Sequence, residues 1–124
     1  NAMAVEGQVV GGATHGIGKA LFERMLYDEA AQPLSVNFGE YLLPAATDIP
    51  PVAVHHMETP SPLNPLGMKG AGEGGTIPAI AAVIAAVENA LSPFGVILSE
   101  APISPQRIVE LLGEAARRPP RTSA

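Results

Sequence analysis

The sequence predicts an α+β fold, or part of a larger α/β domain, with its elements in the order helix, strand, strand, helix, strand, helix. Three segments repeat apolar residues at helical spacing, and three shorter apolar runs have the length of strands. Hydrophobic residues make up 47% of the 124 residues, which is too apolar for a disordered chain. Because only 4% are aromatic, the core must be built from Ala, Val, Ile and Leu.

The first predicted helix covers residues 11–29 and begins in a glycine-rich segment. Ile17, Leu21 and Met25 fall on one stripe of this helix. Two strands are predicted to follow it, at residues 34–43 and residues 52–57.

Residues 58–75 are rich in proline and glycine and are predicted to form a long ordered loop. Loops of this length inside a compact domain usually carry function. Thr76 is a plausible N-cap for the second helix, residues 77–91. This helix is apolar nearly all round, so we expect it to be buried on most of its surface.

The third predicted strand is Val96 to Leu98. Ser104-Pro105 then gives an N-cap followed by proline at the first position of the last helix. Asn1-Ala2 before Met3 looks like a cloning remnant, so residues 1–3 are left out of the fold prediction. Residues 4–116 are predicted to form a single domain, and residues 117–124 a disordered tail.

Composition and charge exclude several classes of function. The net charge of −5 disfavours nucleic-acid binding, which relies on neutralising phosphates. The absence of cysteine excludes disulfides and thiolate-bound clusters in this chain, and it fits a cytoplasmic location. The longest apolar run, Ile77 to Val87, is far shorter than the about 20 residues of a membrane span, so no span is predicted.

The glycines at 11–18 allow two interpretations. The spacing Gly12-x-x-x-Gly16-x-Gly18 looks like the nucleotide loop of short-chain dehydrogenases, in which glycines at a helix start admit a phosphate. Against this, the chain contains no Tyr-x-x-x-Lys pair and is too short for such a domain with its substrate region. Glycines that allow close helix packing are the favoured interpretation.

Glu73 is the strongest candidate for chemistry. It lies in the glycine-rich segment 69–75, directly before the apolar helix, where missing side chains let the backbone approach a ligand. The positive end of the helix favours the ionised carboxylate, whereas burial favours the protonated form, so the balance could suit a general base. The alternative is a flexible turn with a solvated carboxylate.

His55 and His56 are adjacent in the second predicted strand. Adjacent strand residues point to opposite faces, so the two imidazoles cannot share one metal ion. A polar strand edge is the favoured interpretation, and no metal-ligating residues are predicted.

Six short stretches, taken in order along the chain, carry a family resemblance. They are Gly16-Ile17-Gly18-x-Ala20-Leu21, Tyr27-Asp28, Tyr41-x-Leu43-Pro44, Asp48-Ile49-Pro50-Pro51, the run from Glu58 to Gly67, and Lys69-Gly70-Ala71-Gly72-Glu73. Together they resemble the C-terminal end of the molybdopterin-binding large subunit of the molybdenum hydroxylases. That family includes xanthine dehydrogenase, aldehyde oxidase and aerobic carbon monoxide dehydrogenase, and the resemblance covers residues 7–112.

The resemblance implies that Glu73 corresponds to the active-site glutamate beside the molybdenum, with Gly70, Ala71 and Gly72 as its cofactor-binding neighbours. In the family, this glutamate takes a proton from the metal-bound hydroxyl as the oxygen attacks the substrate carbon. Hydride then passes to the sulfido ligand, and electrons leave through iron–sulfur clusters and FAD on partner domains or subunits. Family members usually carry Gln before Gly-Ile-Gly, where the amide contacts the pterin. This chain has His15 there, so the resemblance makes His15 a further cofactor-binding candidate, although imidazole cannot present both sides of an amide.

The leading functional prediction is therefore the C-terminal part of a molybdenum hydroxylase large subunit, an oxidoreductase component that supplies Glu73 and part of the molybdopterin pocket. The rest of the large subunit and the iron–sulfur and FAD subunits are the predicted partners. We expect the isolated chain to bind no molybdopterin and to be inactive. The alternative is a non-catalytic truncated paralogue, or a self-associating domain that forms a homo-oligomer through the apolar helix 77–91.

Overall fold

A computed structural model describes residues 1–117 and shows a helical chain. The helices are α1 (Ala2–Leu21), α2 (Thr76–Leu91) and α3 (Pro105–Arg117), with a short 3₁₀ helix at Ser92–Phe94. No strand or sheet is present within the described residues, where β pairing is limited to an isolated bridge between Tyr27 and Pro33. The α+β fold class predicted from the sequence is therefore wrong.

The first predicted strand, residues 34–43, is replaced by local turns. The carbonyl oxygen of Asn37 accepts hydrogen bonds from the backbone N–H groups of Glu40 at 3.1 Å and Tyr41 at 2.8 Å. Because these hydrogen bonds close a turn over residues 37–41, the segment cannot continue as an extended strand.

The other two predicted strands keep the side-chain pattern of strands but have no strand beside them. Val96 and Leu98 are buried while Ile97 between them is exposed, and a weaker alternation runs along 52–55, where Val52 and Val54 are partly buried and their neighbours are exposed; His56 and Met57 are both exposed. Within residues 1–117, no backbone–backbone hydrogen bond involves either segment. An apolar run predicts the side-chain alternation, but it does not supply a pairing partner.

Helix α1 begins earlier and ends earlier than the predicted helix over 11–29. The Asn1 side chain caps its start by accepting a hydrogen bond from Ala4 N at 3.4 Å, so residues 1–3 belong to this helix. The helix ends at Leu21, and Leu26 instead bonds through its N–H group to the hydroxyl oxygen of buried Ser35 at 3.1 Å. Hydrogen bonds to a later segment thus override the apolar periodicity of residues 22–29.

Glycines allow α1 and α2 to pack with their backbones in close contact. A Cβ atom at Gly12 would lie 2.9 Å from Thr76 N, and one at Gly16 would collide with the Ala79 Cβ. The packing interpretation of these glycines is confirmed. Because they lie inside α1, where N–H groups bond to helix carbonyls, they do not form a phosphate-binding helix start.

Helix α2 matches the predicted range to within one residue, but Thr76 is its first residue and the N-cap is Gly75, so the predicted Thr76 cap is wrong. The prediction that the helix is mostly buried is also wrong. None of its residues is fully buried, and Ile77 is 71% exposed. By length and composition, the 19-residue stretch Thr76–Phe94 could cross a membrane, with a mean hydropathy of 1.6. A core helix of a soluble protein passes the same test, so the absence of a membrane span stays a prediction.

The hydrophobic core lies between α2 and α3. Val96, Leu98 and Ile103 form its buried centre, and apolar side chains of both helices pack around them. Ser104 caps α3 by accepting a hydrogen bond from Arg107 N at 3.2 Å, as its sequence predicts. Residues 118–124 of the predicted disordered tail lie outside the described residues.

Candidate functional site

A half-open cleft of about 630 Å³ lies between α1 and the start of α2. This volume falls in the range of small-molecule and cofactor sites. The lining residues are Gly7, Gln8, Gly11, Gly12, His15 and Lys19 of α1, with Gly72, Glu73, Thr76, Ile77 and Ile80.

Glu73 lies in the turn that begins α2. Its carbonyl oxygen accepts hydrogen bonds from Thr76 N at 3.0 Å and Ile77 N at 3.2 Å. Two residues later, Gly75 is buried against α1, where an added Cβ would collide with the Val9 carbonyl oxygen. The backbone next to Glu73 is therefore held in place by direct contact between the two helices.

The Glu73 side chain lines the cleft and is exposed within the described chain. Residues 1–117 therefore do not provide the burial that the sequence analysis considered. The start of α2 does provide the favourable end of a helix dipole beside the carboxylate.

His15 faces the same cleft from α1 and is exposed. Gln8 and Lys19, which the sequence analysis did not select, line the cleft with it. Gln8 lies seven residues before His15, and Lys19 lies four residues after it. Residues at these spacings lie on the same face of an α-helix. This signal was present in the sequence, but the predicted helix began only at residue 11.

The structure brings three of the predicted site residues together and separates the others. His15, Gly72 and Glu73 line one cleft, whereas Gly70 and Ala71 do not line it. His55 and His56 are both exposed in an extended stretch that contains no regular structure.

Glycines widen the cleft at its α1 wall and at the Glu73 loop. No protein atom of the described chain lies within 4 Å of the position that a Cβ would take at Gly7, Gly11 or Gly72. Packing inside this part of the chain therefore does not explain these three glycines, in contrast to Gly12 and Gly16. Their missing side chains leave room for a ligand to approach the backbone.

The charges of the cleft suit a polar ligand. Glu73 supplies a proton acceptor, and Lys19 supplies a positive charge. His15 can donate or accept a hydrogen bond, and the Gln8 amide can do both. This set can bind a polar heterocycle and move a proton beside it.

Comparison with known proteins gives a consistent family assignment. A family model described as a molybdopterin cofactor-binding domain matches residues 1–50, which include all of α1. The large subunit of nicotine 6-hydroxylase from Paenarthrobacter nicotinovorans is 46% identical over 109 residues, covering 88% of this chain and 13% of that protein. The large chain of carbon monoxide dehydrogenase from Hydrogenophaga pseudoflava is 34% identical over 114 residues, covering 92% of this chain and 14% of that protein.

Solved structures contain a closely similar fold. Quinoline 2-oxidoreductase from Pseudomonas putida 86 matches with a TM-score of 0.88 and 43% identity, over 96% of this chain and 15% of that chain. A Cu,Mo-containing carbon monoxide dehydrogenase matches with a TM-score of 0.88 and 29% identity, over 94% of this chain and 15% of that chain. The chain thus spans about one seventh of the length of the proteins it matches.

Proposed function

The chain belongs to the family of molybdenum hydroxylase large subunits, as a fragment of such a molybdopterin-binding subunit, and from this premise we propose that its cleft is one wall of the cofactor site and that Glu73 is the general base. The observation that supports this proposal is that the packing of α1 on α2 brings Glu73 into one cleft with His15 and Gly72. These are three of the five site residues predicted from the sequence; the other two, Gly70 and Ala71, do not line the cleft.

The residues of the cleft fit a molybdopterin group. Gly7, Gly11 and Gly72 keep open a volume that side chains would fill, and polar groups of Gln8 and His15 face into it. When bound, molybdopterin supplies the molybdenum that takes up electrons from the substrate. This chain supplies the wall against which the pterin lies and the carboxylate beside it.

Glu73 would accept a proton at a carboxylate oxygen. The close contact between Gly75 and α1 holds the backbone next to Glu73 beside the cleft. A general base must be held within hydrogen-bond reach of the proton that it removes, so this backbone contact serves catalysis directly.

The isolated chain is proposed to be inactive and to hold no stoichiometric molybdopterin. The cleft is half open, and the chain supplies only Glu73 and a few contacts on one side. The rest of the large subunit would close the site, and iron–sulfur and FAD subunits would carry the electrons away. One relative is named as the gamma subunit of the 6-hydroxypseudooxynicotine dehydrogenase complex, which supports an assembly of several subunits.

The test is Glu73→Gln in the complete large subunit, which keeps the shape of the side chain but removes its basicity. We expect turnover to fall by about 10²–10⁴-fold, the usual contribution of a general base, with molybdopterin content unchanged. Glu6→Gln is the matched control, because Glu6 is an exposed carboxylate of α1 that does not line the cleft. Turnover of Glu73→Gln equal to that of the control would remove the assigned role.

A non-catalytic, self-associating role is the second candidate, and exposed apolar side chains favour it. Leu63 is 92% exposed, Phe38 78% and Ile77 71%. Such side chains require a cover, either from the rest of a large subunit or from a second copy of the chain. A stable, metal-free oligomer in light scattering, combined with full turnover of Glu73→Gln, would favour the second candidate.

A further inference from the structure

Gln8 is a polar side chain of the cleft to which no role has been assigned. It lies in the second turn of α1, is exposed, and makes no side-chain hydrogen bond with any of residues 1–117. An amide carries two N–H donors and an oxygen with two lone pairs. The fold of the described chain uses none of these, so the amide is available to a ligand.

The position of Gln8 on α1 relates it to His15. Seven residues correspond to nearly two full turns, so the two side chains leave the same face of the helix, about 10 Å apart along its axis. They therefore cannot bind the same atom, but they can contact two parts of one extended ligand in the cleft. Position 15, where relatives were expected to carry an amide, has an imidazole here.

The surroundings of Gln8 are open in a way that the fold does not require. Gly7 and Gly11 both line the cleft, and a Cβ at either position would meet no atom within 4 Å. Glycine inside a helix is less favourable than alanine, because it gains no side-chain contacts and loses more backbone freedom. A flat ligand lying against the backbone at Gly7 and Gly11 would explain why glycine occupies both positions beside the free amide of Gln8.

We propose that Gln8 is a further cofactor-contacting residue, whose amide binds a polar edge of the pterin where Gly7 and Gly11 let the ring approach α1. A pterin ring presents N–H donors next to oxygen and nitrogen acceptors along its edge, which is the pattern that an amide complements with paired hydrogen bonds. Gln8 and His15 would then contact two different parts of the same ligand, about two turns apart on one face of α1. This inference rests on the proposed molybdopterin site and adds a residue to it.

The experiment compares Gln8→Leu with Gln106→Leu in the complete large subunit. Leucine has a similar size but removes donor and acceptor together. Gln106 is an exposed helical glutamine of α3, bonded to Glu110 Oε1 at 3.0 Å and outside the cleft. The readouts are pterin released per subunit, measured by fluorescence after oxidation, molybdenum by metal analysis, and the melting temperature of the cofactor-free subunit.

We expect Gln8→Leu to lose the cofactor about tenfold faster on dilution, the effect of removing one or two hydrogen bonds, while Gln106→Leu behaves as the unsubstituted protein. The melting temperature of the cofactor-free subunit stays unchanged in Gln8→Leu. Gly11→Ala provides a second, independent test of the proposed contact. It fills the open space and favours the helix, so it lowers cofactor retention while it raises the melting temperature of the cofactor-free subunit.

Cofactor retention by Gln8→Leu equal to that of Gln106→Leu would overturn the proposal. Failure of Gln8→Leu and Gly11→Ala to assemble with the rest of the subunit would also overturn it, because this face of α1 would then contact protein. The test is separate from that of Glu73, because Glu73→Gln is judged by turnover at constant cofactor content. If Gln8→Leu loses cofactor while Glu73→Gln keeps full turnover, the results would support the Gln8 contact and contradict the assignment of Glu73 as general base.

Discussion

Single glycines set the distance between the two helices that carry the site. Gly12 and Gly16 of α1 and Gly75 before α2 each occupy a position where a Cβ would meet the opposite helix. The carboxylate of Glu73 and the imidazole of His15 reach one cleft because these backbones touch. The chemistry of the site thus depends on residues that have no side chain.

Gly16→Ala is predicted to destabilise the protein. The new methyl group would collide with the Ala79 Cβ, and overpacking of this kind costs about 1–3 kcal/mol. The free energy of unfolding in urea measures the effect. Gly113→Ala is the control, because its methyl group would meet only the end of the Arg117 side chain at 3.9 Å, and it should be neutral or slightly stabilising.

Tyr41 provides a pH-dependent prediction. Its hydroxyl donates a hydrogen bond to Glu23 Oε2 at 2.6 Å, and this bond raises the pKa of Tyr41 above its usual 10.0. The folded protein holds the phenolic proton more tightly than the unfolded chain does. The stabilising contribution is therefore fully present below pH about 10 and is lost as the pH rises through the higher folded-state value.

The phenolate absorbance of Tyr41 measures this shift, as the difference between the titrations of the unsubstituted protein and Tyr41→Phe. We expect a midpoint above 10, and a lower midpoint in Glu23→Gln, where the acceptor has lost its charge. An unchanged midpoint in Glu23→Gln would contradict the assigned cause.

At the residue scale, the sequence predicted more of the site than of the fold. The glycine-rich setting and the family motif selected Glu73, and the departure before Gly-Ile-Gly selected His15. Gln8 was missed because the glycines at 7, 11 and 12 lower helix propensity and hid the first turns of α1. The packing of α1 on α2 outweighs that local preference.

At the scale of elements, the segment between α2 and α3 organises the hydrophobic core. Val96 and Leu98 point inward, and the N–H group of Leu98 donates to Glu88 Oε2 of α2 at 2.7 Å. Ile103 follows, and its N–H group donates to the Ala20 carbonyl oxygen at 2.7 Å near the end of α1. One irregular segment therefore joins all three helices.

Ile103→Ala is predicted to be the most damaging single truncation in this region. Ile103 is 1% exposed and sits in the core cluster, so the change removes buried methyl groups and leaves a cavity, at a cost of about 2–5 kcal/mol. Thermal or urea unfolding measures the loss. Val109→Ala on α3 is the matched control, because Val109 is 70% exposed and should change the stability by less than about 0.5 kcal/mol. Equal losses in the two variants would show that the core lies elsewhere.

The sequence predicted the helices better than the strands. Ser104-Pro105 and the apolar run at 77–91 located two helices, because capping and helical periodicity are local properties. Residues 96–98 alternate between buried and exposed side chains, and residues 52–55 do so weakly, but strands also need a neighbour. Pairing depends on chain that is distant in sequence, and periodicity says nothing about it.

At the scale of the whole molecule, much apolar surface is uncovered. Large apolar side chains are exposed along the loops and on α2, among them Leu63, Met57 and Phe38. The proteins that this chain matches are about seven times longer, and the matched backbone is the same. Family membership and the exposed surface together favour coverage by the remaining part of a large subunit.

The isolated chain is therefore predicted to bind a hydrophobic dye strongly and to contain no stoichiometric molybdenum. Dye fluorescence should fall when the rest of the large subunit is supplied, because the same side chains become buried. Metal analysis of the purified chain provides the second measurement. A chain that carries one molybdenum per molecule would show that these residues suffice to hold the cofactor, against the proposal made above.

The contact between α1 and the residues before α2 also bears on how such enzymes diversify. Because the Gly75 backbone rests on the α1 backbone at Val9 and Ala13, the backbone next to Glu73 is held by main-chain contacts. We therefore expect side chains around the cleft to be replaceable without moving the Glu73 backbone. That freedom is consistent with relatives whose names refer to molecules as unlike as nicotine, carbon monoxide and xanthine.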